Sequence, residues 1–112
     1  MLKNILRLGC LFAALSTAST VQASDCGEVS IMQGDWGSAQ IVTAVSKFLM
    51  EQGYGCEVTT VPLSSNPALA SVSETGEPDI LTEIWTNGAP AYQGLVDSGA
   101  ITPVTEVLSD GG

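Results

Sequence analysis

The sequence predicts an α/β fold built on a parallel sheet with flanking helices. Three observations predict it. Short β-type runs alternate with longer runs whose apolar residues recur at helical spacing. Glycines and prolines fall between those runs, where helices stop and turns begin. The chain's two tryptophans, Trp36 and Trp85, each stand where a β-type run gives way to a turn. That is the carboxyl end of a strand, where open α/β sheets bind ligands.

Taken in order, Val29 to Gln33 reads as the first strand and Gly34-Asp35-Trp36-Gly37 as the turn after it. Ser38 is the expected N-cap of a helix from Ala39 to Gln52, with Gly53 as its stop. Ile41, Val42, Val45, Phe48 and Leu49 form its apolar side; Gln40, Thr43, Ser46, Lys47 and Glu51 take the other faces. Cys56 to Val61 is the second strand. Asn66 as cap and Pro67 in the first helical position open a short helix carrying Leu69 and Val72, which Gly76 and Pro78 end. Asp79 to Ile84 reads as the third strand. Pro90 to Ser98, with Tyr92, Leu95 and Val96, reads as a third short helix that Gly99 stops. Ile101 to Leu108 is expected as a further strand or an extended crossing segment. The first strand is expected in the middle, giving the order second, first, third across the sheet. Ser109 to Gly112 is a loop, and the whole reads as a piece of something longer.

The first residues fall outside that domain. Lys3 and Arg7, the apolar run Leu8 to Leu15, and the small residues around Val21-Gln22-Ala23 follow the order of a secretory signal peptide. The apolar run is too short to span a bilayer. Cleavage is expected after Ala23, so that residues 1–23 are the signal and 24–112 the mature chain. Lipidation at Cys10 would need an aliphatic residue where Arg7 stands. All 12 acidic residues follow Ala23 and Lys47 is the one base beside them, a formal charge of −11. Such a surface repels nucleic acid and anionic lipid, although acidity also serves solubility alone. Cys26 and Cys56 remain as an even pair, which in an exported domain reads as a disulfide near the amino-terminal ends of neighbouring strands.

In the expected order, the crevice between the exits of the first and third strands is the topological switch point, with Trp36 and Trp85 at its lips. Two indole faces suit a cation with no N–H to donate, which cation–π attraction and dispersion hold. Asp35 and Glu83 add negative potential, and the amides of Gly37, Ser38 and Ala39 suit a carboxylate. Taken singly, each tryptophan reads more readily as core or interface filler, and Asp35 and Glu83 as solvated charges. The matched positions of the tryptophans argue for a site. Tyr92 is a candidate third aromatic, although its spacing with Leu95 and Val96 favours packing.

The runs Gly34-Asp35-Trp36-Gly37-Ser38-Ala39-Gln40, Glu51-Gln52-Gly53-Tyr54, Leu63-Ser64-Ser65-Asn66-Pro67-Ala68, and Gly76-Glu77-Pro78-Asp79-Ile80 leading to Glu83-Ile84-Trp85 occur in one order. Together they resemble the start of extracytoplasmic solute-binding proteins of ABC importers for glycine betaine, proline betaine, choline and related quaternary amines. The resemblance runs from about Glu28 to Gly112. It implies a type II-like periplasmic-binding-protein lobe, of which 24–112 is the first part and the second lobe is absent. It implies that Trp85, followed by its turn and Pro90, is one member of an aromatic cage and Trp36 a second. Asp35 is carried over from choline-preferring members. The implied partner is a membrane permease, and the implied location the periplasm.

The alternative is an exported structural or partner-binding module with its tryptophans at a protein interface. An enzyme is disfavoured by the absence of histidine, of a phosphate loop and of a metal cluster, and no cofactor is expected.

Overall fold

The computed structural model describes residues 26–108 of the chain, so the expected signal segment lies outside the described residues. Two parallel strands, β1 (Glu28–Gln33) and β2 (Glu57–Pro62), form the sheet, in register from Glu28 opposite Glu57 to Gln33 opposite Pro62. Between them runs α1 (Gly37–Tyr54), so β1, α1 and β2 make one βαβ unit. Then follow α2 (Ser65–Thr75), a 3-10 turn (Thr86–Gly88) and α3 (Tyr92–Asp97), with α2 and α3 in contact. The α/β class and the parallel pairing match the expectation.

The strand beginnings are tied together by a disulfide between Cys26 and Cys56, whose Cα atoms lie 4.5 Å apart. Ile31, fully buried, packs with Cys56 and Val58, and Val29, Met50 and Ile80 close around them. β1 thus supplies the centre of the core, as its β-branched and apolar residues suit.

Asp79 to Ile84 is not a strand. One parallel bridge, Ile31 to Ile80, joins it to β1, through Met32 N–H to Ile80 O at 2.8 Å and Ile80 N–H to Ser30 O at 3.1 Å. The ladder goes no further because Thr82 meets the next acceptor with its side chain. Its hydroxyl donates to Met32 O at 3.1 Å, beside the Thr43 hydroxyl at 3.0 Å. Among the described residues the sheet therefore has two strands, and the third segment lies bridged to β1 without forming the expected third strand. Residues 102–106 likewise adopt no regular structure, so of the two readings of that stretch the strand is not formed. At the start of the bridged segment, Ser30 N–H donates to Asp79 Oδ2 at 2.8 Å, and the Ser30 hydroxyl contacts both Asp79 and Glu77. The Ser30 amide and then its hydroxyl hold the Asp79 carboxyl below its ordinary value.

Helix boundaries differ from expectation for local reasons. Trp36, not Ser38, is the N-cap of α1, because the Gln40 N–H bonds to Trp36 O and places Ser38 inside the first turn. Gly53 lies inside the helix, and Gly55, at φ 69°, takes the left-handed cap position and donates to Met50 O. Ser64 caps α2, leaving Asn66 and Pro67 within its first turn, and Gly76 ends it at φ 78°.

The larger correction concerns which face of α1 is buried. Ala39 and Thr43 face inward, whereas Ile41 and Phe48 are 67% and 62% exposed and Val45 and Leu49 are also exposed. A two-stranded sheet offers α1 one narrow contact. The helix turns its small residues to it, where Thr43 finds Met32 O and Lys47 donates to Val58 O at 2.7 Å.

Candidate functional site

Trp36 leaves β1 through Gly34 and Asp35 with an extended backbone, and its carbonyl accepts the Gln40 N–H at 3.1 Å, opening α1. Its indole folds back over Gly34. A Cβ on that glycine would lie 2.5 Å from Trp36 Cζ3, 2.6 Å from Cη2 and 2.9 Å from Ala39 Cβ. Glycine is needed there for close approach of the ring. Gly34→Ala is expected to push the Trp36 ring away and to cost about 1–3 kcal/mol from overpacking. Near-ultraviolet circular dichroism and urea unfolding check this; an unchanged aromatic spectrum would refute the ring position.

Trp85 is held by the start of α2. Its N–H donates to Ser65 Oγ at 3.3 Å, and Asn66 Nδ2 donates to Gly88 O at 3.1 Å. Within the turn, Gly88 N–H donates to Trp85 O and Ala89 N–H to Thr86 O, each at 3.2 Å. The Ser65-Asn66 pair therefore fixes where the ring leaves the chain.

The two indoles meet at Glu83. Trp36 Nε1–H donates to Glu83 Oε1 at 2.7 Å, Trp85 Nε1–H to the same oxygen at 2.9 Å, and the Ser38 hydroxyl to it at 2.9 Å. Glu83 is only 6% exposed, and its other oxygen, Oε2, is buried without a hydrogen-bond partner among the described residues. Each ring is pinned by its polar edge, which leaves its faces for packing or for a ligand. Trp85 is 37% exposed, and Trp36 is half-buried.

The remaining sequence candidates are distributed unequally. Tyr92, the first residue of α3, lines the same broad, open depression as Glu83 and Trp85; Trp36 is not among its lining residues. Asp35 is exposed and flanks a separate small hollow with Gln33, Leu63 and Ser64. Ser38 stands with the tryptophans, but its hydroxyl serves Glu83. Glu83 is the residue that sequence reasoning undervalued, as a charge expected in solvent. A signal was present: in an extended run, residues two apart share a face, which puts Glu83 beside Trp85. Among the described residues no three His, Cys, Asp or Glu side chains gather to hold a metal ion.

A family model for the substrate binding domain of an ABC-type glycine betaine transport system matches residues 27–111. The chain belongs to that family. No curated protein matches it. The family is one of binding domains rather than enzymes, and membership gives the chain a substrate-binding role for glycine betaine-like ligands in an ABC transport system. Such domains act outside the cytoplasm with a membrane permease. Among the described residues no helix is long and apolar enough to cross a membrane.

Proposed function

We propose that the chain binds a quaternary ammonium osmolyte (glycine betaine, proline betaine or choline) between aromatic faces and serves the permease of an ABC importer from the periplasm. Trp36 and Trp85 supply the faces, and Tyr92 adds an aromatic edge on the Trp85 side. The carboxylate of a betaine is suited to the first amides of α1, at Gly37, Ser38 and Ala39, because a helix amino terminus favours negative charge. Asp35 contributes potential rather than contact. The observation that carries this reading is the convergence of both indole N–H groups on Glu83 Oε1, which brings together two rings far apart in the chain.

Cation–π contacts contribute roughly 0.5–2 kcal/mol each, so two give about 1–4 kcal/mol. Micromolar affinity needs about 8 kcal/mol. The chain by itself is therefore expected to bind choline or glycine betaine with a dissociation constant of about 1 mM or weaker. Tryptophan fluorescence titrated with choline, glycine betaine and glycine tests this. A response to the quaternary amines that Trp85→Ala removes, with none to glycine, is the expected result. An equal response to glycine would sink the cage, and micromolar affinity would contradict its two-ring arithmetic.

A further inference from the structure

We infer that Glu83 is the positioning residue of this site: a single carboxylate oxygen holds both indoles, and its charge makes the site favour a cation over a neutral molecule of the same shape. The inference deepens the quaternary-amine reading above and, in its second half, rests on it.

The first half follows from hydrogen-bond geometry. Three donors from three places in the chain, Trp36 Nε1–H, Trp85 Nε1–H and the Ser38 hydroxyl, end on Glu83 Oε1 within 2.7–2.9 Å. A charged acceptor makes such bonds shorter and stronger than a neutral one does. Removing it leaves three part-buried donors without their partner, and neither ring then has a reason to keep its orientation relative to the other. An indole that donates to a carboxylate is also polarised toward a more electron-rich ring, which strengthens its attraction for a cation.

The second half follows from what Glu83 lacks. A buried carboxylate is costly unless it is paired. Lys47 is the one basic residue among 26–108, and it is occupied elsewhere, with Glu51 at 3.2 Å and Val58 O at 2.7 Å. Among the described residues no side-chain cation is therefore assigned to Glu83 and its Oε2 has no donor, and the residue lines the depression beside Trp85. The charge complement that the described residues do not supply is the one a quaternary ammonium group brings. A methylated nitrogen needs no hydrogen bond from Oε2; it needs the negative field behind the rings.

The test uses the chain with Glu83→Gln, which keeps the shape and removes the charge, and Glu83→Ala, which removes the acceptor. In the unsubstituted protein, the two indole N–H resonances are expected downfield and slow to exchange. In Glu83→Ala both are expected to move upfield together and exchange faster, with backbone resonances far from the site unmoved. Free-indole behaviour of either resonance in the unsubstituted protein overturns the lock, even if the variants fail to fold.

For the charge, choline is compared with its neutral carbon isostere, 3,3-dimethylbutan-1-ol. Glu83→Gln is expected to weaken choline by about tenfold more than it weakens the isostere. Equal weakening of both, or of neither, overturns the selectivity. If the unsubstituted chain responds to no quaternary amine, the ligand reading and the selectivity fall together, while the resonances still decide the lock.

Discussion

Replacing Cys26 and Cys56 by serine is expected to lower stability by about 3–4 kcal/mol. The disulfide closes a loop with a sequence separation of 30, which contains β1 and α1 and ends at β2. Cross-linking such a loop removes freedom mainly from the unfolded chain, so the effect does not depend on new contacts in the folded one. It also lands on a small core: Ile31, Cys56 and Val58 form its buried cluster, and Cys56 belongs to it. A domain of this size has a total stability near the low end of about 5–15 kcal/mol. The double-serine chain is therefore expected to retain only about 1–2 kcal/mol of stability. Urea unfolding followed by far-ultraviolet circular dichroism, with and without reductant, measures the effect. A midpoint insensitive to both reductant and substitution would show that the bond does not constrain the unfolded state.

Ile31→Ala is expected to cost about 2–5 kcal/mol, whereas Phe48→Ala is expected to change stability by no more than about 0.5 kcal/mol. Phe48 is the larger side chain, so composition alone would rank the two in the opposite order. Ile31 is fully buried between β2 and the bridged Ile80, and its truncation leaves a cavity that two strands cannot collapse to fill. Phe48 sits on the outer face of α1 with most of its surface already in water. The comparison is made by urea unfolding of each variant. Equal costs would mean that the outer face of α1 is covered in solution.

Much of the fold was legible because it is set locally. Val29 to Gln33 and Cys56 to Val61 are runs of residues that suit a pleated, half-buried surface, and the strands fall within one residue of those bounds. The glycine at position 76 ends its helix because it takes a left-handed conformation at little cost. The pairing of Cys26 with Cys56 followed from an even count and from strand starts side by side. The family was legible too, in the ordered runs around Trp36, Asn66 and Trp85, and the match over residues 27–111 agrees with it.

Other features were hidden because they depend on partners distant in sequence. Asp79 to Ile84 has strand-like composition, yet Thr82 spends its hydroxyl on Met32 O, and a propensity scale does not see that competition. The apolar periodicity of α1 identified a helix correctly and its buried face wrongly. Periodicity shows that a face is apolar; what that face meets depends on the neighbouring elements. Glu83 is the sharpest instance: a carboxylate reads as solvent-exposed until the donors that bury it are known.

The amino-acid sequence by itself determined the α/β character, the parallel βαβ unit with its cystine, and the placing of both tryptophans just past β-type runs. These follow from backbone preference and residue spacing, which act over a few positions at a time. Only the tertiary structure decided that the two rings share one carboxylate oxygen, that Ser38 serves that oxygen instead of capping α1, and that α1 turns Thr43 inward and Phe48 outward. Those outcomes come from hydrogen bonds and packing across as many as 47 residues of chain, where each group takes whichever partner the assembled elements bring within reach.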